Sequence, residues 1–190
     1  MSRDKMLLAI REALPKEATA IPDYQPSATS FDVVQKFIDT LVGIGGAVIK
    51  VSSLSVVNDY VIKHFSGQRV VSLVQGVDSY ATTLEADPHL LENVALTVVP
   101  GAFGVAENGA VWITDGSMGD RALPFIANNL AMIISAQDIV PTLHEAYQRI
   151  GADGYNFGTF IAGPSKTADI EQSLVLGAHG PKSNTIFLLA

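Results

Sequence analysis

Cysteine is absent from the chain, which excludes disulfides, cysteine-ligated iron–sulfur clusters and thiolate catalysis by its own side chains. A redox cofactor would have to be held by other groups or sit on a partner. Cations are scarce as well, with 12 Lys and Arg against 19 Asp and Glu. The formal charge of -7 and the lack of a basic cluster argue against phosphate-backbone binding, so nucleic acid is set aside. No apolar run reaches the ~18 residues that suggest a membrane span. Charges also interrupt the apolar residues of the N-terminal segment, where a signal peptide needs an unbroken apolar core. A soluble, cytoplasmic protein is the expectation. No histidine pair shows zinc-ligand spacing, and no metal site is expected.

The 190 residues are 48% hydrophobic, enough to bury one good core. Met6, Leu7, Ile10 and Leu14 recur at helical spacing until Pro15, and an extended arm with Pro22 and Pro26 follows. The expected organisation is therefore a helix and arm over residues 1–28 and a single α/β domain over 29–190. Ser30 is the expected N-cap of a helix carrying Phe31, Val34, Phe37, Ile38 and Leu41 on one face. Apolar runs predict strands at 47–51, 69–74, 95–99, 110–114, 131–135, 159–162 and 185–189, with a helix at 55–65. Asp138 can cap a further helix with Leu143, Ala146 and Ile150, stopped at Gly151. Strands alternating with helices imply a largely parallel sheet between helical layers.

Three segments could carry chemistry. Gly101, Gly104 and Gly109 let backbone N–H groups approach a ligand, while Glu107 supplies an acid, base or nucleophile and Asn108 an amide. The plainer reading is a hairpin, since Asn-Gly before an apolar strand is a strong hairpin signal. Arg121 either clamps a carboxylate or phosphate or pairs internally with Asp120 or Asp115. The densest segment is Gly163-Pro164-Ser165-Lys166-Thr167-Ala168-Asp169-Ile170-Glu171, followed by Gly177-Ala178-His179-Gly180-Pro181. Here Ser165 or Thr167 would cap a short helix with Asp169 and Glu171 in its first turn, and the free N–H groups of that helix start would bind an anion. His179, set between glycines, is a candidate acid/base beside Glu107. The candidate ligand-binding set is Gly104, Asn108, Arg121, Gly163, Ser165, Lys166, Thr167, Asp169, Glu171 and Gly180. Both loops are expected to face one cleft at the strand ends where open α/β sheets bind ligands.

The combination of Gly101-Ala102 with Ala106-Glu107-Asn108-Gly109, Arg121 with Leu123-Pro124, the 163–171 run and Gly177-x-His179-Gly180-Pro181 resembles the LUD domain of the lactate-utilisation proteins, nearest the branch called protein C. The resemblance runs from about Gly45 to the end of the sequence. It implies an α/β domain similar to the sugar-phosphate isomerase and CoA-transferase superfamily. It also implies work alongside two iron–sulfur partner proteins in oxidising L-lactate to pyruvate, with the clusters on the partners and none on this chain. A small carboxylate or phosphate would be the ligand. One departure stands out: where the family commonly has Glu-Thr-Gly-Thr, this chain reads Glu107-Asn108-Gly109-Ala110, similar to the Glu-Asn-Gly of CoA transferases, whose glutamate attacks an acyl carbonyl. Alternatives to an accessory subunit are thus a CoA-transferase-like enzyme or hydrolase using Glu107, a sugar-phosphate isomerase-like enzyme, and a non-catalytic scaffold.

Overall fold

A computed structural model of the chain describes residues 2–15, 20, 30–84, 86–151, 154–168 and 174–190. Helix α1 (Arg3–Ala13) buries none of its residues, and most of the expected arm lies outside the described residues. Helix α2 (Val33–Gly43) turns Phe37 and Leu41 inward, as their helical spacing predicts. Its N-cap is Asp32 rather than Ser30: the Asp32 carboxylate accepts the Gln35 N–H at 3.0 Å.

Strand β1 (Ala47–Val51) leads through α3 (Leu54–Phe65) to β2 (Val70–Ser72), and β3 (Leu96–Pro100) follows. The hairpin of β4 (Phe103–Val105) and β5 (Ala110–Thr114) leads to two short helices, α4 (Asp115–Met118) and α5 (Leu123–Ile126). Strand β6 (Asn129–Ser135), the two-residue β7 (Ile139–Val140), helix α6 (Leu143–Ile150) and β8 (Gly158–Ile161) come next. A small hairpin of β9 (Lys166–Ala168) and β10 (Leu174–Leu176) precedes the last strand, β11 (Ser183–Leu189).

The main sheet has the order β1-β11-β6-β3-β2, and every neighbouring pair in it is parallel. Side chains alternate between its faces. On one face Ala131, Val98 and Phe187 meet Val57 and Val61 of α3. On the other, Leu130, Met132, Ile186 and Val99 meet Phe37 and Leu41 of α2 together with Val111 and Ile113 of β5. The second covering layer is therefore only partly helical. A four-stranded sheet of order β7-β4-β5-β8 shares that face, pairing β4 with β5 and β5 with β8 antiparallel. Helix α6 closes its outer side through Ala146 and Ile150 against Phe103, Val105 and Trp112. No helix among the described residues is long and apolar enough to cross a membrane.

Two local expectations are corrected. Asp138 does not cap α6. Residues Ile139–Val140 form β7, and Thr142 opens the helix with a reciprocal capping box: its hydroxyl accepts the Glu145 N–H, and the Glu145 carboxylate accepts the Thr142 N–H. Residues 166–168 are a strand paired with Leu174–Leu176, not the first turn of a helix, so no helix N-terminus offers itself to an anion there.

Candidate functional site

The candidate residues fall in three places. At the tip of the β4–β5 hairpin, Gly109 adopts φ 68°, and the Asn108 side-chain oxygen accepts the Ala110 N–H at 3.0 Å, a turn that ties the amide to its own backbone. Glu107 is not a bare carboxylate. It accepts the Leu143 N–H at 2.7 Å and thereby occupies an unpaired donor in the first turn of α6. Gly104 has a packing role: a Cβ there would sit 2.9 Å from Cε2 of Phe37.

Arg121, between α4 and α5, reaches Phe157 just before β8. Its guanidinium is 3.2 Å from the Asp115 carboxylate and 5.1 Å from the ring centre of Phe157. Of the two sequence readings for this residue, the internal pair is the one formed. Asp115 is held below the ordinary carboxylate range. Partial desolvation, the largest single influence, pushes it upward, but hydrogen bonds from Arg121, Asn156 and the Phe157 N–H, with the Arg121 charge, outweigh it.

The third place is a cavity of about 300 Å³ at the far end of β8, where Gly163, Ser165, Lys166, His179 and Gly180 meet over a wall containing Phe125 and Phe160. Backbone pairing brings the two halves of the motif together. Ser165 N–H donates to Pro181 O at 2.9 Å, and Gly177 N–H donates to Ser165 O at 3.1 Å. Gly163, at φ 70°, makes the turn out of β8 against Ile44. Thr167 sits one residue further along β9 and does not line the cavity. Asp169 and Glu171 lie outside the described residues.

The shared cleft at the carboxyl ends of the parallel strands does not form. Pro181 and Lys182 lead into β11, and Lys182 N–H donates to Asn128 O just before β6, so the Ser165–His179 cavity stands at the amino ends of those strands. Glu107 binds at the β7 flank of the four-stranded sheet and the cavity adjoins its β8 flank. Arg121 is at the opposite end of β8. The cavity offers an ammonium, a hydroxyl and an imidazole, a set of hydrogen-bonding groups suited to a small anion. It does not fit an iron–sulfur cluster: the chain has no cysteine, and no group of three or more metal-ligating side chains occurs among the described residues.

Known proteins place this arrangement in a family. Lactate utilization protein C of Bacillus pumilus (strain SAFR-032) is 32% identical over 103 residues, 51% of this chain and 43% of that protein. The protein of the same name from Geobacillus sp. (strain WCH70) is 34% identical over 91 residues, 45% of this chain and 38% of the relative. The matched segment thus spans less than half the length of these curated relatives. A crystal structure of a DUF162 family protein from Deinococcus radiodurans superposes with a TM-score of 0.64 at 19% identity, covering 84% of this chain and 97% of the other, and shares the fold. The family model described as the LUD domain matches residues 27–189. The chain belongs to the LUD domain family.

Proposed function

We propose that the chain serves in lactate utilisation as a cluster-free component that binds a small carboxylate or phosphate in the Ser165–His179 cavity and works with iron–sulfur partner proteins. The observation that carries this reading is the convergence of Ser165, Lys166 and His179 on one cavity, in a chain whose relatives are named for lactate utilisation. Lys166 supplies the charge that holds a carboxylate, and the Ser165 hydroxyl donates a second contact. His179 accepts the proton of the substrate hydroxyl as it becomes a carbonyl. The oxidation also breaks the Cα–H bond, and the partners accept that hydrogen together with the electron pair it leaves with, because the groups gathered here include no redox centre.

Purified alone, the chain is expected to be inactive with L-lactate and an artificial electron acceptor. Co-expressed with cysteine-rich iron–sulfur proteins of the lactate-utilisation type, it is expected to co-purify and to support lactate-dependent reduction. In that complex Lys166→Ala and His179→Ala each lower the rate on the order of 10², the scale of a lost substrate anchor or acid/base. Vigorous lactate oxidation by the isolated chain would remove the partner requirement. Full activity of both variants in an intact complex would remove the cavity from the reaction.

A further inference from the structure

The four-stranded sheet holds a second concavity, away from the Ser165–His179 cavity and at the other end of β8. Two cavities of about 310 and 480 Å³ share Thr114, Gly154 and Tyr155 as common wall. The first adds Phe103, Trp112 and Arg149; the second adds Asp115, Arg121 and Asn156. Their sizes lie in the range that encloses small organic ligands.

Trp112 and Tyr155 have ring centroids 5.5 Å apart at an interplanar angle of 79°, so the two rings make a right-angled corner. Trp112 is 8% exposed and fixed by the core, whereas Tyr155 is 40% exposed and presents its ring outward. A flat ring entering there stacks on the exposed Tyr155 face, while Trp112, packed against Phe160 at 4.7 Å, closes the floor of the corner and offers its rim. Beside the corner, the Arg149 guanidinium lies 4.9 Å over the Phe103 ring centre, and one terminal nitrogen is 2.6 Å from Asp138. Asp138 does not line either cavity, but at 2.6 Å it offsets much of the Arg149 charge, so Arg149 brings oriented N–H donors to the wall rather than a free positive charge. The rest of its planar fork is oriented by the ring and the ion pair, which suits it to a phosphate or carboxylate. In the second cavity Arg121 and Asp115 neutralise one another and offer a donor and an acceptor to hydroxyls.

From this we infer that the Trp112–Tyr155 corner and Arg149 form a binding site for a planar ring carrying an anionic group, of the nucleoside monophosphate type. The inference is independent of the reading given for the Ser165–His179 cavity.

Trp112 is the sole tryptophan, so its emission reports on this corner alone. Titrating the folded chain with AMP or nicotinamide mononucleotide should quench it saturably with a Kd below about 1 mM, a weak but specific affinity. Adenosine alone and inorganic phosphate alone should bind at least about tenfold more weakly, since each makes half of the contacts. Arg149→Gln should weaken AMP at least about fivefold and leave adenosine unchanged, and the exposed Tyr155→Ala should weaken both. Absence of saturable quenching by either nucleotide overturns the site. Adenosine binding as tightly as AMP overturns the role of Arg149, phosphate binding as tightly as AMP overturns the role of the aromatic corner, and wild-type AMP affinity in a folded Tyr155→Ala does the same.

Discussion

Glu107 shows how a residue that looks catalytic can be occupied by the fold. With its carboxylate on the Leu143 N–H at 2.7 Å, Glu107→Ala should lower stability by about 1 kcal/mol, the usual cost of losing a helix-terminal acceptor, measurable by urea unfolding. Incubation with an acyl-CoA followed by hydroxylamine is expected to trap no glutamyl adduct, and an adduct that disappears in Glu107→Gln would make the chain a transferase. Gly104 allows a similar reading. The Cβ of Gly104→Ala would fall 2.9 Å from Phe37 and 3.1 Å from Ile134, and overpacking of that kind costs about 1–3 kcal/mol. At Asp115 the effect is one of pH. Its folded pKa lies below the unfolded value, so its contribution to stability is present above the ordinary carboxylate range and is lost as pH falls through the folded value. Asp115→Asn should flatten the acid side of the stability curve, from the ordinary carboxylate range downward; parallel curves for the two proteins would show that the carboxylate contributes nothing.

Elements were legible where β-branched and apolar residues crowd a short run, in the edge strand β1 as in the buried β5. Residues 47–51 and 110–114 are strands over the expected span, and β3 and β6 differ from the expected spans by one or two residues at their ends. Strands β4 and β7, three and two residues long, carry too little periodicity to be seen. The start of α6 had a readable signal, Thr142 with Glu145 three residues on, which Asp138 obscured by standing ahead of the same apolar run. In the 163–171 run, polar residues that favour helix caps also suit the strand that forms at 166–168, and the pairing with Leu174–Leu176, with Ser165 N–H on the distant Pro181 carbonyl, selects between them. The meeting of Ser165 with His179 was legible as one loop lining one site, while the separation of both from Arg121 follows from the register of β8. One sheet row also invites a test. Thr97 and Asn184 flank Leu130 on the same face, and the Thr97 hydroxyl and both Asn184 amide atoms are buried without a hydrogen-bond partner. Thr97→Val, which keeps the shape and removes the hydroxyl, should leave stability unchanged or raise it by up to about 1 kcal/mol in urea unfolding. A loss of similar size would mean that the hydroxyl is satisfied in solution.

On the scale of the whole molecule, the five-stranded sheet is a platform with α3 behind it and a second sheet in front, and that second sheet carries candidate sites at both ends of β8. The order of the main sheet has a further consequence, for the birth of the protein. Strand β11 lies between β1 and β6, so Ala47 finds its partner only in Thr185, and Asn129 finds its second neighbour only in Ser183. A nascent chain that has not yet reached residue 183 can pair β6 with β3 and β2, but it holds β1 apart with a strand-wide slot between them. Such long-range parallel pairing is slow to close. The unfilled slot leaves two open backbone edges, at which a second nascent chain can pair in place of the missing strand.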